Sequence, residues 1–330
     1  MIAVYYPLFT SCSDPATPTA GKEPVQVEVD WSGYGKSTPT GMTILFHHQE
    51  TGEKTQVIDN NVTRLTTRLS SGRHWATAFN LTENEFDNIR FSGFDSAETA
   101  RAYAAEHPGS KWYDTPAGAD GYVASQPEWL AVDTILTNPV EPHSTTLSPE
   151  MTVAGTLHPR NIIHTLHLTI HIGNIGNLRA ARGAISGLAA GRRLSADRPD
   201  DNTVTVTHLI EPDNWTDRPT PSPSDTSGFI RTEIRCFGLP SNHSGTPGEN
   251  RLELQTLLAD GKTVKRYDIP VGHLINRPDT PPGCRGDNLD LFLEVSLQPA
   301  LPPVSGSGGN GGIDVWFDDW DDHIDFNMPI

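Results

Sequence analysis

The 330-residue sequence predicts an all-β protein, built as two consecutive β-sandwich domains with one short helix in the first. Three observations lead there. Short runs that alternate apolar and polar residues recur from Val25 to Leu297. Turn-forming residues, among them 29 glycines and 27 prolines, break those runs at intervals of about 8 to 12 residues, the rhythm of sandwiches and barrels. The length exceeds one ordinary sandwich and suits two domains with tails. No stretch approaches the roughly 18 apolar residues of a membrane-spanning helix.

Each element can be justified in order. VQVEVDW (25–31) has the period of a half-buried strand. GMTILFHH (41–48) and KTQVID (54–59) flank a short link containing Gly52 and read as a hairpin. VTRLTTRL (62–69) and RHWATAFN (73–80), separated by Ser70, Ser71 and Gly72, read as a second hairpin. DSAETARAYAAEH (95–107) is predicted to be the helix: Asp95 or Ser96 caps it, alanines carry it, and Pro108–Gly109 ends it. A loop containing Trp112, Tyr113 and Trp129 follows, and the strand pattern restarts at PEMTVAGTL (149–157). IIHTLHLTIHI (162–172) is a strong strand, and the glycines of GAISGLAAGRRL (183–194) argue for strand with loops over helix. NTVTVTHLI (202–210), GFIRTEIRCFGL (228–239), NRLELQTLL (250–258), KTVKRYDIPV (262–271) and LDLFLEVSL (289–297) complete the set, with Ala259, Asp260 and Gly261 as a hairpin turn.

The Pro-containing polar stretch 138–148 is the expected domain boundary. It divides the chain into a lead and tether (1–24), a first sandwich (25–143), a second sandwich (144–303) and a Gly-rich linker with an acidic, aromatic C-terminal strand segment (304–330).

A net charge of −17 opposes binding to phosphate backbones, and only Arg179, Arg182, Arg192 and Arg193 group together, so nucleic acid is not an expected partner. The three cysteines are informative. Cys12 ends a short apolar lead, MIAVYYPLFTSC, followed by a polar Asp-, Pro- and Thr-rich stretch that suits a tether. LFTSC resembles a bacterial lipoprotein cleavage box, with Ser11 as the last signal residue and Cys12 as the lipid-bearing N-terminus. No Lys or Arg precedes Cys12 and Pro7 interrupts the apolar part, so MIAVYYPLF as a first β-strand is the competing reading. With Cys12 lipidated, Cys236 and Cys284 are left either to form a disulfide in an oxidising compartment or to stay as two buried thiols.

Motifs for chemistry are scarce. There is no GxSxG, P-loop, HExxH or CxxC, so the expectation is no enzyme, no catalytic residue and no cofactor. In HTLHLTIH the strand period places His167 and His171 on one face with Thr165 and Thr169, the expected solvent face, about 13 Å apart by a rise of ~3.3 Å per residue, too far for one ion. His47 and His48 point to opposite faces. The acidic run 313–326 lacks the glycine and terminal glutamate of an EF-hand and reads as a solvated turn, so no metal is expected.

Together these features resemble the fimbrillin-like surface lipoproteins of Bacteroidales, which include pilins of the type V pilus. The likeness rests on LFTSC, on EVDW followed by PTGMTILF, and on RHWATAFNLTENEFDNIRF running into FSGFDSAETARAY. SGSGGNGG ahead of VWFDDWDDHIDFNMPI adds to it. The resemblance implies transthyretin-like Greek-key sandwiches, an outer-membrane lipid anchor, and a role as adhesin or pilus-associated subunit with other pilus subunits or host and microbial surfaces as partners. It also implies assembly by strand addition, for which Ile313, Val315, Phe317, Ile324 and Phe326 form the candidate segment, acting in cis or in trans. The rival expectation is a carbohydrate-binding lipoprotein of a glycan-uptake system, with Trp112, Tyr113 and Trp129 as a stacking platform.

Overall fold

A computed structural model describes residues 21–106, 123–141, 152–195, 198–208, 226–276 and 289–304. The first strands form where the alternation predicts them. β1 (Lys22–Val29) turns Val25, Val27 and Val29 inward and takes in Lys22, Glu23 and Pro24 as well. β2 (Met42–His48) is buried on both faces and pairs antiparallel with β3 (Lys54–Asp59), as the predicted hairpin requires.

The second predicted hairpin is not formed. β4 (Arg64–Ser70) pairs with β1, whereas β5 (His74–Asn80) lies beside β2, in the opposite sheet. The link between them explains why. Gly72 sits at φ 118°, outside the geometry of a tight hairpin turn, and exchanges two backbone hydrogen bonds with Val140 (2.9 and 2.8 Å). A Cβ at Gly72 would stand 2.6 Å from Nε2 of His48, so the crossing needs glycine. The His48 ring is fixed there, donating from Nε2 to the Ser71 carbonyl (2.8 Å) and accepting at Nδ1 from the amides of Glu50 and Thr51 (3.1 Å each).

Nor do residues 95–106, the described part of the predicted helix, form one. Ser96 and Thr99 close a local turn back onto Gly93, which competes with helix propagation. The chain then runs out as β7 (Arg101–Ala104), antiparallel to β6 (Ile89–Ser92). Ala100, Ala102 and Ala104 are buried while Arg101 and Tyr103 turn outward: small residues at period two fit under a neighbouring layer, and that packing overrides alanine's helix propensity.

β8 (Val123–Ala124) is followed by β9 (Ala131–Leu136), which sits between β5 and a short later strand and is a full member of the sheet. β10 (Thr152–Leu157) returns beside β1 as a parallel neighbour, and β11 (Arg160–Asn161) pairs with β9. The first sandwich therefore packs a three-stranded sheet, β10-β1-β4, on a five-stranded one, β11-β9-β5-β2-β3. Its core holds Val25, Val27, Ile44, Phe46, Leu65, Leu69 and Leu157.

The second sandwich repeats the scheme. β12 (His164–Gly173), β13 (Leu178–Ala189), β14 (Gly191–Arg193), β15 (Arg198–Pro199), β16 (Thr203–His208) and β17 (Ser227–Cys236) come in turn. β18 (Arg251–Leu258), β19 (Val264–Pro270) and β20 (Asp290–Ser296) follow. They assemble as β17-β12-β20 against β19-β18-β13-β16-β8, with β18 and β19 forming the expected hairpin. A further sheet, β15-β14-β7-β6, takes two strands from each half of the chain. Leu45 and Phe79, on the other face of β2 and β5, join the same apolar cluster as Leu166, Leu168 and Leu254. The whole is an all-β, sandwich-type fold. No described helix is long and apolar enough to cross a membrane.

Candidate functional surface

The most chemically varied face of the described structure is the outer side of β17-β12-β20. β12 alternates strictly: His164, Leu166, Leu168, Ile170 and Ile172 are buried, and Thr165, His167, Thr169 and His171 face out. Because the central strand is antiparallel to β17 and parallel to β20, its outward residues have partners on both sides. His167 lies between Glu233 and Phe292, Thr169 between Arg231 and Glu294, and His171 between Phe229 and Ser296.

Two histidine clusters result. His167 Nε2 is 2.9 Å from Asp290 Oδ1 and its Nδ1 is 3.3 Å from Glu233 Oε1, while its ring stacks on Phe292 with centroids 4.9 Å apart and planes at 16°. His171 Nε2 is 2.6 Å from Glu294 Oε1, and its ring meets Phe229 edge-on at 6.3 Å. The Arg231 guanidinium sits 4.3 Å from the Phe229 ring centre, a cation–π contact. Phe292 is 44% exposed, held in place by the His167 ring and by strand pairing. The two histidines use different carboxylates and do not converge, and no group of three side chains able to hold a metal ion occurs among the described residues. Aromatic edges, carboxylates, a guanidinium and threonine hydroxyls on one rigid sheet can contact a ligand that offers both apolar and hydrogen-bonding groups.

Sequence reasoning placed His167 and His171 outward but singled out neither Phe229 nor Phe292. The signal was present. In LDLFLEVSL the leucines and valine at 291, 293 and 295 point inward, so Phe292 is an aromatic at a solvent position.

Of the other residues singled out from the sequence, Trp129 is described and half-buried. It packs against both apolar cores, Lys36 Nζ lies 3.7 Å above its ring centre, and Arg235 approaches at 5.6 Å. Cys236 ends β17 in a fully buried position, where desolvation pushes its thiol up to about 12. Cys12, Cys284, Trp112, Tyr113, Ile313, Val315, Phe317, Ile324 and Phe326 lie outside the described residues.

Comparison with known proteins adds a family and a fold. Residues 20–208, more than half of the chain, match the family model described as Domain of unknown function (DUF5119). No curated protein matches the sequence. A solved structure described as a "putative adhesin" from Bacteroides ovatus superposes with a TM-score of 0.54 at 17% identity, covering 86% of this chain and 95% of that one. A second "putative adhesin", from Bacteroides thetaiotaomicron, gives 0.49 at 11% identity over 84% and 93% of the two chains. The fimbrial anchor protein Mfa2 from Porphyromonas gingivalis gives 0.46 at 10% identity over 83% and 90%. The first of these likenesses shows a shared fold along almost the full length.

Proposed function

The chain belongs to the DUF5119 family, and from that premise we propose that it is a cell-surface adhesin or pilus-associated subunit whose ligand meets the outer face of β17-β12-β20. The observation that carries this reading is Phe292, exposed on a rigid strand and flanked by His167, Asp290 and Glu294. Solvent-facing aromatics set among satisfied polar groups are the usual anchors of recognition surfaces. The fold likeness to the Bacteroides ovatus protein described as a "putative adhesin", over 86% of this chain, supports the same reading. The role is binding, without an enzymatic site.

The N-terminal sequence supports a lipid anchor at Cys12 in the outer membrane, with the polar residues after it as tether. The alternating Ile313, Val315 and Phe317, followed by Ile324 and Phe326, support strand addition, to this chain or to another subunit. Glycan uptake is the weaker reading, because Trp129, the described member of its platform, already has a lysine over its ring.

The test uses protein that begins after Cys12, measured for adherence to host and bacterial surfaces and on a glycan array. Phe292→Ala should abolish adherence with little change in thermal midpoint. Adherence within about twofold of the parent would remove this face as the binding surface, since anchor residues typically cost 2 kcal/mol or more when truncated. Tight binding to one polysaccharide class, insensitive to Phe292→Ala, would favour glycan uptake. Metabolic labelling with a fatty acid, lost in Cys12→Ala, tests the anchor.

A further inference from the structure

β19 is the terminal strand of its five-stranded sheet and pairs on one side with β18 alone. The ladder fixes which backbone groups face away. Leu258 N donates to Thr263 O (2.8 Å) and Val271 N donates to Asn250 O (2.9 Å), so residues 263, 265, 267, 269 and 271 direct their amides and carbonyls toward β18. Val264, Arg266 and Asp268 therefore direct theirs outward, where no backbone partner lies among the described residues. This is an open template for another strand.

Beside that edge runs a groove of about 470 Å³, walled by Tyr267 and Ile269 on one side and by Pro299, Ala300 and Pro302 on the other. It opens between the edge of one sheet and the chain that leaves the opposing sheet after β20. The groove is apolar toward the core, since Tyr267 is buried and Ile269 packs against the same cluster. Its rim carries exposed Lys265 and Arg266 together with Asp268, whose carboxylate is already paired with Arg251, in a protein whose net charge is −17.

The described chain ends at Val304, two residues past the groove wall at Pro302. Eight residues rich in Gly and Ser (305–312) separate that point from IDVWFD. We propose that residues 313–318 of this same chain add to the outward edge of β19 as a sixth strand. Ile313, Val315 and Phe317 would then fill the groove, and Asp314 and Asp318 would lie on the side of Arg266. Reach permits it. An eight-residue linker spans at most about 28 Å and averages about 16 Å, against a β19 length of roughly 23 Å, beginning two residues past the groove wall. Tethering also selects the chain's own segment over a copy from another molecule, because a short linker holds it at an effective concentration of the order of millimolar. The inference does not depend on what the outer face of β17-β12-β20 binds.

Amide hydrogen exchange tests it in the full chain and in a chain ending at Gly312. In the shortened chain the outward amides of Val264, Arg266 and Asp268 should exchange about tenfold faster or more, with those of β18 unchanged. The full-length double variant Val315→Pro, Phe317→Asp, which leaves the folded body untouched, should reproduce that increase. Dilution of the full chain by about 100-fold should leave the protection in place, as an intramolecular contact requires. Equal exchange in the full and shortened chains would overturn the docking. Protection that fades on dilution would overturn the intramolecular form and assign the edge to another copy.

Discussion

The two three-stranded sheets share one frame. Each has a central strand with a parallel neighbour on one side and an antiparallel neighbour on the other: β1 between β10 and β4, and β12 between β20 and β17. Each central strand drives three or more branched aliphatic side chains into its core. The outward faces differ. Around β1 they are Gln26 and Glu28 beside Thr66 and Arg64, a short polar surface whose one exposed apolar member is Val153. Around β12 the same positions carry paired histidines, two phenylalanines and their carboxylates. The same strand arrangement thus separates what holds the sandwich together from what it shows to solvent, and the second is free to specialise.

Four effects test that separation. The largest effect belongs to the inward side. Leu168→Ala should cost about 3–4 kcal/mol and Val27→Ala about 2–3 kcal/mol in denaturant unfolding, since both sites are closed against their cores. Next comes the crossing between the sheets of the first sandwich. Gly72→Ala should cost about 2–3 kcal/mol, because a residue at φ 118° gains a Cβ against the fixed His48 ring.

The third is a pH effect confined to the first sandwich. Burial, with the His48 imidazole 4.9 Å away, pushes His74 down from 6.5 to about 4. Between those values the unfolded chain binds a proton that the native state does not, so stability falls as pH drops from 6.5 toward 4. The loss should be about 2 kcal/mol by denaturation at matched ionic strength, and smaller in His74→Asn. Smallest in stability is the outer face of the second sandwich. His167→Ala should change unfolding by less than about 0.5 kcal/mol, because exposed ion pairs contribute little. Phe292→Ala should likewise cost less than about 1 kcal/mol while removing adherence. A large stability loss at Phe292 would show that the outer face is structural and break the comparison.

How legible these regions were in the sequence follows the same division. Strands with one wet face, such as β1, β12, β18 and β20, announce themselves by alternation, and so did the outward placement of His167 and His171. β9 was missed because AVDTIL sits in mid-sheet, where alternation is weak and the run is short. The β4–β5 hairpin failed because a short Gly link looks alike in sequence whether the chain turns back or crosses to the facing sheet, and the Val140 partner that decides it lies far along the chain. The helix expected from Asp95 onward failed because alanine suits a helix in isolation and a tight sheet contact in context, as Ala100, Ala102 and Ala104 show. At the candidate surface the pairing of His167 with Phe292 required the β12–β20 register, which joins residues more than 120 positions apart.

The flanked position of β1 has a mechanical consequence. If the protein is tethered through its N-terminus while a ligand holds the second sandwich, tension enters at Gly21 and runs along the axis of β1. Hydrogen bonds to β4 on one side and to β10 on the other then bear the load together in shear, instead of opening one at a time as at a frayed edge. The strand nearest the tether is in this way the one best placed to resist being pulled out.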